Sequence, residues 1–194
     1  MLYGLVDPFD LATTFVTPIT SKIARIGPPA LATGDVLPLR AVAAGALVGA
    51  PETPPADLPT VREEVVLDIV LGPRTDWFTP DALALLCSQS WAVTPQSNRV
   101  GIRLAGEVPL ARAVNVVHAE LPSEGTACGA LQVPPSGQPV LFLADHPLTG
   151  GYPVIASVAT HHLDRAGQIP VNARVRFNPI PAPGPVAPSA SSIS

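Results

Sequence analysis

The chain has 194 residues and a net formal charge of -4, and its residues are 47% hydrophobic and 13% charged. That length allows one sizeable core, or one domain with a fragment of another, and the apolar content excludes a disordered chain. Ten arginines and a single lysine, Lys22, form no basic tract, which excludes nucleic acid and anionic lipid as main partners. A surface this poor in charge predicts burial against another protein.

The two cysteines, Cys87 and Cys128, form neither a disulfide framework nor a metal-binding spacing. We expect both to be reduced thiols. No apolar run reaches the roughly 18 residues that span a bilayer, and the N-terminus lacks the pattern of a secretory signal. The sequence therefore predicts a soluble, cytoplasmic protein.

Proline accounts for 25 of the residues and predicts the domain boundaries. Residues 1–48 are expected to hold a remnant of a preceding β-domain, with a turn at Gly34-Asp35. The prolines within residues 49–60 predict a linker, and residues 179–194 predict a disordered Pro/Ala/Ser tail. The folded domain is thus predicted over residues 61–178.

Short β-branched and apolar runs predict a strand-rich domain. The first strand spans residues 65–70. A helix over residues 81–87 follows, with Thr79 as N-cap and Pro80 as its first residue, and one or two helical turns are predicted within residues 162–169. Further strands are predicted at residues 91–94, 100–104, 130–133, 140–144, 154–159 and 174–177. Many short strands with two minor helices are typical of a mainly β fold, a β-barrel.

Residues 123–153 concentrate glycine, proline and small polar residues between these strands. Glycine permits close backbone approach and proline fixes φ, so such loops hold amides and short side chains in set positions. Asp145 ends an apolar strand before the loop of Gly150, Gly151 and Tyr152. Its carboxylate can accept a hydrogen bond from an amide, ureido or lactam N–H of a ligand. Backbone amides of the loop can then donate to the oxygen on the other side of the same ligand group. Asp145 as a turn cap, and Tyr152 as a packing ring, are the alternatives.

Ser97, Asn98 and Arg99 place a hydroxyl, an amide and a guanidinium on one loop. This set suits a carboxylate or a bicarbonate-derived anion, and Glu124 is a further acid/base candidate. Alternatively, Asn98 turns the chain and Arg99 forms a salt bridge with Glu124.

Other candidate sites lack the required spacing. The pair His161-His162 has no Glu-x-x-His spacing and no cysteine companions, so it indicates the start of a surface helix and not a metal site. Ser136 lacks the strand-turn-helix elbow of a hydrolase nucleophile. No glycine loop for phosphate is present, so any ATP is expected to bind elsewhere.

The chain resembles the biotin-dependent carboxyltransferase family, which includes the C subunit of 5-oxoprolinase, the second subunit of allophanate hydrolase and the carboxyltransferase part of urea carboxylase. The motifs that carry the resemblance are G-P-R (72–74), D-W-F (76–78), P-Q-S-N-R-V-G-I-R-L (95–104), S-E-G (123–125), G-A-L-Q-V-P-P-S-G-Q-P (129–139), A-D (144–145), T-G-G-Y-P (149–153) and A-R-V-R-F (173–177). It covers residues 22–178 and implies a cyclophilin-like barrel.

The chain departs from the family pattern in two places. No block like T-V-Q-D-x-G-R, nor a glycine-rich stretch ending near G-A-M-D, is found, so a shortened member is expected. Where the family usually has A-D-R-Q-T-T-G-G-Y-P, the residues His146, Pro147 and Leu148 replace R-Q-T.

The resemblance implies the C subunit of an ATP-dependent 5-oxoprolinase, a hydrolase of a lactam C–N bond that works in a complex with the A- and B-type subunits. Asp145 and Glu124 are then the catalytic candidates. The candidate contacts to the small-molecule substrate are Ser97, Asn98, Arg99, Gly150, Gly151 and Tyr152.

Two alternatives stay open within the same resemblance. A carboxyl transfer to urea or another amide would use biotin attached to a partner, since the sequence has no lysine between methionines. A regulatory protein like the family's sporulation-kinase antagonist would capture its partner without catalysis. Assignment of a prolyl isomerase activity would rest on fold analogy alone.

Overall fold

The computed structural model describes residues 33–34, 36, 53, 56–116 and 119–182. The chain divides into two compact units, Met1–Pro54 and Pro55–Ser194, and this boundary lies within the linker predicted at residues 49–60. Gly34 has a φ of 96° in a turn at residues 33–34. The rest of the predicted remnant, apart from residue 36, and the predicted tail after residue 182 lie outside the described residues.

Seven strands of the second unit close into a barrel, and two more form a separate ribbon, within the residues described. The barrel strands are β1 (Glu64–Leu71), β2 (Trp91–Val93), β3 (Gly101–Ala105), β5 (Ala130–Gln132), β6 (Val140–Phe142), β8 (Val154–Val158) and β9 (Arg174–Pro179). Around the barrel they follow the order β1-β8-β5-β6-β3-β2-β9. The ribbon pairs β4 (Glu124–Gly125) with β7 (Thr149–Gly150). The predicted β-barrel is therefore confirmed.

The helices are short and lie between barrel strands. They are α1 (Pro80–Ser88), α2 (Leu163–Gly167) and the 3-10 helices Thr75–Trp77, Val114–Val116 and Thr160–His162. As predicted, Thr79 caps α1, since its hydroxyl accepts the amide of Ala82 at 3.1 Å. None of the helices in the described ranges has the length and apolarity that crossing a membrane requires.

Apolar side chains of the strands fill the barrel. Along β1, Val65, Leu67 and Ile69 are buried, while the residues between them are half-buried or exposed, as the two-residue period of a strand requires. Trp91 of β2 is fully buried, and its indole N–H donates to the carbonyl of Leu86 at 3.0 Å. That bond connects α1 to the barrel wall.

Strand directions decide where the loops go. β5 pairs antiparallel with both β6 and β8, so β6 and β8 run the same way. Residues 143–153, which join them, must therefore travel from one end of the barrel to the other. By the same argument the connection from β3 to β5 also runs from one end of the barrel to the other. The β4–β7 ribbon joins these two crossings.

We call the end at which β1 stops and β8 starts the upper end. The opposite end, at which β6 stops and β3 starts, is the lower end.

Candidate functional site

The β2–β3 turn at the lower end holds Ser97 and Asn98. Asn98 and Gly101 exchange main-chain hydrogen bonds of 3.1 Å, and the side-chain oxygen of Asn98 accepts the amide of Val100 at 2.9 Å. The Ser97 hydroxyl accepts the amide of Arg103 at 2.9 Å. Both predicted substrate contacts are thus engaged in shaping a turn, which is the alternative role that the sequence indicates for Asn98.

Arg99 projects from the same turn to Asp145. Its Nε lies 2.6 Å from Asp145 Oδ2, and the amide of Asp145 donates to the carbonyl of Arg99 at 3.3 Å. The Asp145 side chain is 18% exposed. The structure pairs Arg99 with Asp145, and not with Glu124 as one sequence interpretation has it. The bond joins the turn to the start of the crossing segment.

Glu124 pairs instead with Arg74 at the upper end. Arg74 follows β1, and its amide donates to the carbonyl of Val154 at 3.0 Å. Its side chain makes a two-pronged contact, with Nε at 3.1 Å from Glu124 Oε2 and Nη2 bonded to Oε1. The hydrogen bonds from Arg74 lower the pKa of Glu124, and Glu124 raises the pKa of Arg74. Both groups are therefore ionised at neutral pH.

Gln132, which the sequence does not single out, supports the loop opposite Glu124. It is 6% exposed, and within the described part of the chain it is the one buried polar side chain. Its Nε2 donates to the carbonyl of Tyr152 at 3.0 Å. Gly150, which pairs with Glu124 across the ribbon, leaves room for it, because a Cβ there would lie 2.4 Å from Nε2. A polar residue at a buried strand position was the available signal.

Arg112 completes the upper end. Its guanidinium carbon lies 5.8 Å from the ring centroid of Trp77, a cation–π distance, and its Nη2 donates to the carbonyl of Val133 at 3.4 Å. The amide of Trp77 in turn donates to the carbonyl of Arg74 at 3.2 Å. The Nε of Arg112 is buried without a hydrogen-bond partner among the described residues. No sequence motif marks this arginine.

A cavity of about 480 Å³ opens beside Arg112. Its wall includes Leu110, Ser136 and Gly137, the last with a φ of 72° and packed against the backbone of Leu110. We call the set Arg74, Trp77, Arg112, Glu124, Gln132 and Tyr152 the upper-end cluster. Together with the neighbouring loop of Gly150 and Gly151, it offers guanidinium donors, an ionised carboxylate and backbone amides, which are the groups that bind an amide and an anion.

The predicted site residues therefore fall into two groups. Glu124, Gly150, Gly151 and Tyr152 lie toward the upper end, whereas Ser97, Asn98, Arg99 and Asp145 lie at the lower end. β8 has five residues, so its ends are about 13 Å apart at the usual rise of a strand. The two groups therefore lie at opposite ends of the barrel.

Comparisons with known proteins agree with this fold. A family model described as "Carboxyltransferase domain, subdomain A and B" matches residues 8–179. The 5-oxoprolinase C subunit of Escherichia coli (strain K12) is 39% identical over 106 residues, which are 55% of this chain and 33% of that protein. The urea amidolyase of Lachancea kluyveri is 32% identical over 162 residues, which are 76% of this chain and 9% of that protein.

A solved structure gives the same result. The crystal structure of TTHA0988 superposes with a TM-score of 0.59 at 35% identity, covering 79% of this chain and 28% of that one. The chain thus spans a third or less of the length of each of these proteins.

Proposed function

This chain belongs to the family of carboxyltransferase domains with subdomains A and B, and we propose that it serves in the C subunit of a 5-oxoprolinase. Two relatives have that designation. In the proposed complex the chain acts with the A- and B-type subunits, one of which binds ATP. The reaction opens the lactam of 5-oxoproline and yields glutamate.

The Arg74–Glu124 ion pair opposite Gly150 carries this proposal. Hydrolysis of a lactam joins a water oxygen to the carbonyl carbon, breaks the C–N bond and adds a proton to the nitrogen. The Glu124 carboxylate, whose pKa Arg74 lowers further below its ordinary value, is ionised at neutral pH and can accept a hydrogen bond from the lactam N–H. The guanidinium of Arg74 and the amides of the Gly150–Gly151 loop are suited to the lactam oxygen.

Arg112 would bind the carboxylate that 5-oxoproline carries on its ring. Arg112 lines the cavity of about 480 Å³, and the hydrogen bond from its Nη2 to Val133 is long, at 3.4 Å. A carboxylate matches the fork of an arginine better than a backbone carbonyl does. Arg112 would therefore select 5-oxoproline over an amide that lacks a carboxylate.

A second candidate function, biotin-dependent carboxyl transfer to urea or a related amide, is favoured by one observation. The urea amidolyase of Lachancea kluyveri aligns with 76% of this chain, compared with 55% for the Escherichia coli 5-oxoprolinase protein. Urea also presents an N–H beside a carbonyl, so Glu124 would play the same part. Biotin would be carried by a partner. Urea has no carboxylate for Arg112.

Reconstitution with the A- and B-type subunits of the same organism tests the proposal. The assay measures ATP-dependent release of glutamate from 5-oxoproline. We expect Glu124→Gln, which keeps the shape and removes the charge, to lower kcat by about 100-fold. Arg112→Met should raise the KM for 5-oxoproline and leave the turnover of 2-pyrrolidone, the same lactam without a carboxylate, unchanged. Arg103→Met, at an exposed position of β3, is the control and should behave as wild type.

The outcomes separate the two functions. Bicarbonate-dependent carboxylation of urea that avidin stops, without glutamate release, would replace the first function by the second. Unchanged kcat in Glu124→Gln with either substrate would contradict the assignment of the upper-end cluster.

A further inference from the structure

Asp68, His161 and His162 form a cluster that the proposed function does not use. Asp68 lies on β1, and the two histidines lie on the 3-10 helix Thr160–His162 after β8. Asp68 Oδ2 lies 2.9 Å from His161 Nε2 and 3.8 Å from His162 Nδ1. One ligand atom from each residue lies within 4.8 Å of the other two.

The spacing is close to that of a metal site. Zinc bonds to nitrogen and oxygen of about 2.0–2.1 Å place tetrahedral ligand atoms about 3.3 Å apart. The two distances from Asp68, 2.9 and 3.8 Å, lie on either side of that value. For all three atoms to bind one ion, ring rotations must also bring the ligand atoms of the two histidines, which lie within 4.8 Å of each other, to that separation.

Asn178 on the neighbouring strand orients the carboxylate. Its Nδ2 donates to Asp68 Oδ1 at 2.7 Å, which leaves Oδ2 directed to the histidines. Asn178 pairs with Asp68 in the register between β1 and β9. An outer partner that fixes a ligating carboxylate is a regular feature of metal sites.

The rings must change partners for an ion to bind. His161 Nε2 now donates to the Asp68 carboxylate, so its proton would move to Nδ1 as the ion takes its place. His162 Nδ1 accepts a hydrogen bond from the amide of Asp68 at 2.8 Å, so the lone pair of that nitrogen already points toward Asp68. The hydrogen bond from that amide would be lost.

The surroundings leave open positions around such an ion. His161 is 59% exposed, and both histidines border an open cavity of about 570 Å³. Asp57 and Asp164 line the same cavity, with Arg165 3.8 Å from the Asp57 carboxylate. Two imidazoles and one carboxylate favour a borderline transition-metal cation over Mg²⁺ or Ca²⁺, which prefer oxygen ligands.

We propose that Asp68, His161 and His162 bind a divalent transition-metal ion such as Zn²⁺, with water in the remaining positions. The proposal is independent of the upper-end cluster. The sequence predicts no metal site at the two histidines. The third ligand, Asp68, lies on a strand 93 residues before His161, and no spacing motif in the sequence indicates it.

Calorimetric titration of the full chain, without an affinity tag, with ZnCl₂ tests the proposal. We expect one Zn²⁺ per chain, and an affinity at least tenfold weaker in His161→Gln and in His162→Gln. His146→Gln is the matched control, because His146 contacts Thr126 and Phe142 instead, and it should bind Zn²⁺ as wild type does. Circular dichroism checks that each variant is folded.

Cobalt provides an independent readout. Co²⁺ held by two imidazoles and a carboxylate in a four-coordinate site absorbs far more strongly in the visible range than octahedral Co²⁺, so wild type should gain this band and Asp68→Asn should lose it. Absence of saturable Zn²⁺ binding, or binding that neither histidine substitution weakens, would overturn the proposal.

Discussion

The side-chain amide of Gln132 donates a hydrogen bond of 3.0 Å to the main-chain carbonyl of Tyr152. Gln132 ends β5 inside the barrel wall, whereas Tyr152 lies in the loop that enters β8 at the upper end. The bond fixes the second half of the crossing segment against the core. It also sets the backbone of Gly150 and Gly151, which the proposed site uses opposite Glu124.

Gly150→Ala should disturb this arrangement. The added Cβ would lie 2.4 Å from Gln132 Nε2, so we expect a loss of about 1–3 kcal/mol in the free energy of unfolding, the usual cost of overpacking. Gly125→Ala is the matched control, because it lies in the same ribbon and an added Cβ there would have no atom within 4 Å.

Urea unfolding of the two variants measures the difference. In a Gln132→Ala background, Gly150→Ala should lower the free energy of unfolding by less, because the side chain that the new Cβ would meet is absent. Equal costs for Gly150→Ala and Gly125→Ala would show that Gly150 is not required by packing against Gln132.

The barrel strands and α1 could be predicted because their signals are local. Alternation of buried residues along β1 follows from its β-branched pattern, and Thr79 followed by Pro80 indicates the start of α1. The strands of the ribbon could not be predicted, since two residues show no periodicity. β9 also extends to Pro179, one residue beyond the predicted domain.

The candidate site was predicted in part, because its contacts depend on loop directions. Glu124 and the loop of Gly150 and Tyr152 were identified from residue type. Their partner Arg74 lies 50 residues from Glu124, and it contacts Glu124 only because the β3–β5 connection and residues 143–153 cross the barrel together. Asp145 and Gly150 are close in sequence, but they lie toward opposite ends of the barrel because the segment between them crosses it.

Removal of the Thr79 hydroxyl should destabilise α1. Thr79 Oγ1 accepts the amide of Ala82 at 3.1 Å, so we expect Thr79→Val, which keeps the shape, to cost about 1 kcal/mol of unfolding free energy. Thr79→Ser keeps the acceptor and should cost clearly less. Thermal and urea unfolding compare the two, and a loss in Thr79→Ser with none in Thr79→Val would argue that the methyl group matters and the cap does not.

The pKa of Glu124 should depend on Arg74. The ordinary value of this carboxyl is 4.5, and hydrogen bonds from Arg74 lower it. A lowered folded-state pKa stabilises the protein above pH 4.5, and that contribution is lost as the pH falls through the folded-state value. We expect Arg74→Met to return the pKa toward 4.5 and to flatten this part of the stability profile.

A carbon-13 NMR titration of the Glu124 carboxyl group measures the change directly. Arg103→Met, on an exposed position of β3, is the control and should leave the Glu124 pKa where it is. A Glu124 pKa that is the same with and without Arg74 would be inconsistent with the two-pronged contact.

Asp145 is a catalytic candidate in the sequence because its carboxylate ends a strand before a glycine loop, and its pairing with Arg99 provides a test of that role. The 2.6 Å contact joins the β2–β3 turn to the crossing segment at the lower end, away from Glu124. We therefore expect a double-mutant cycle of Asp145→Asn and Arg99→Met to give a coupling of about 1 kcal/mol in unfolding free energy. In the reconstituted complex, Asp145→Asn should then lower kcat by less than tenfold while Glu124→Gln lowers it by about 100-fold. A 100-fold loss in Asp145→Asn, with the complex and its stability intact, would instead place a second reacting carboxylate at the lower end.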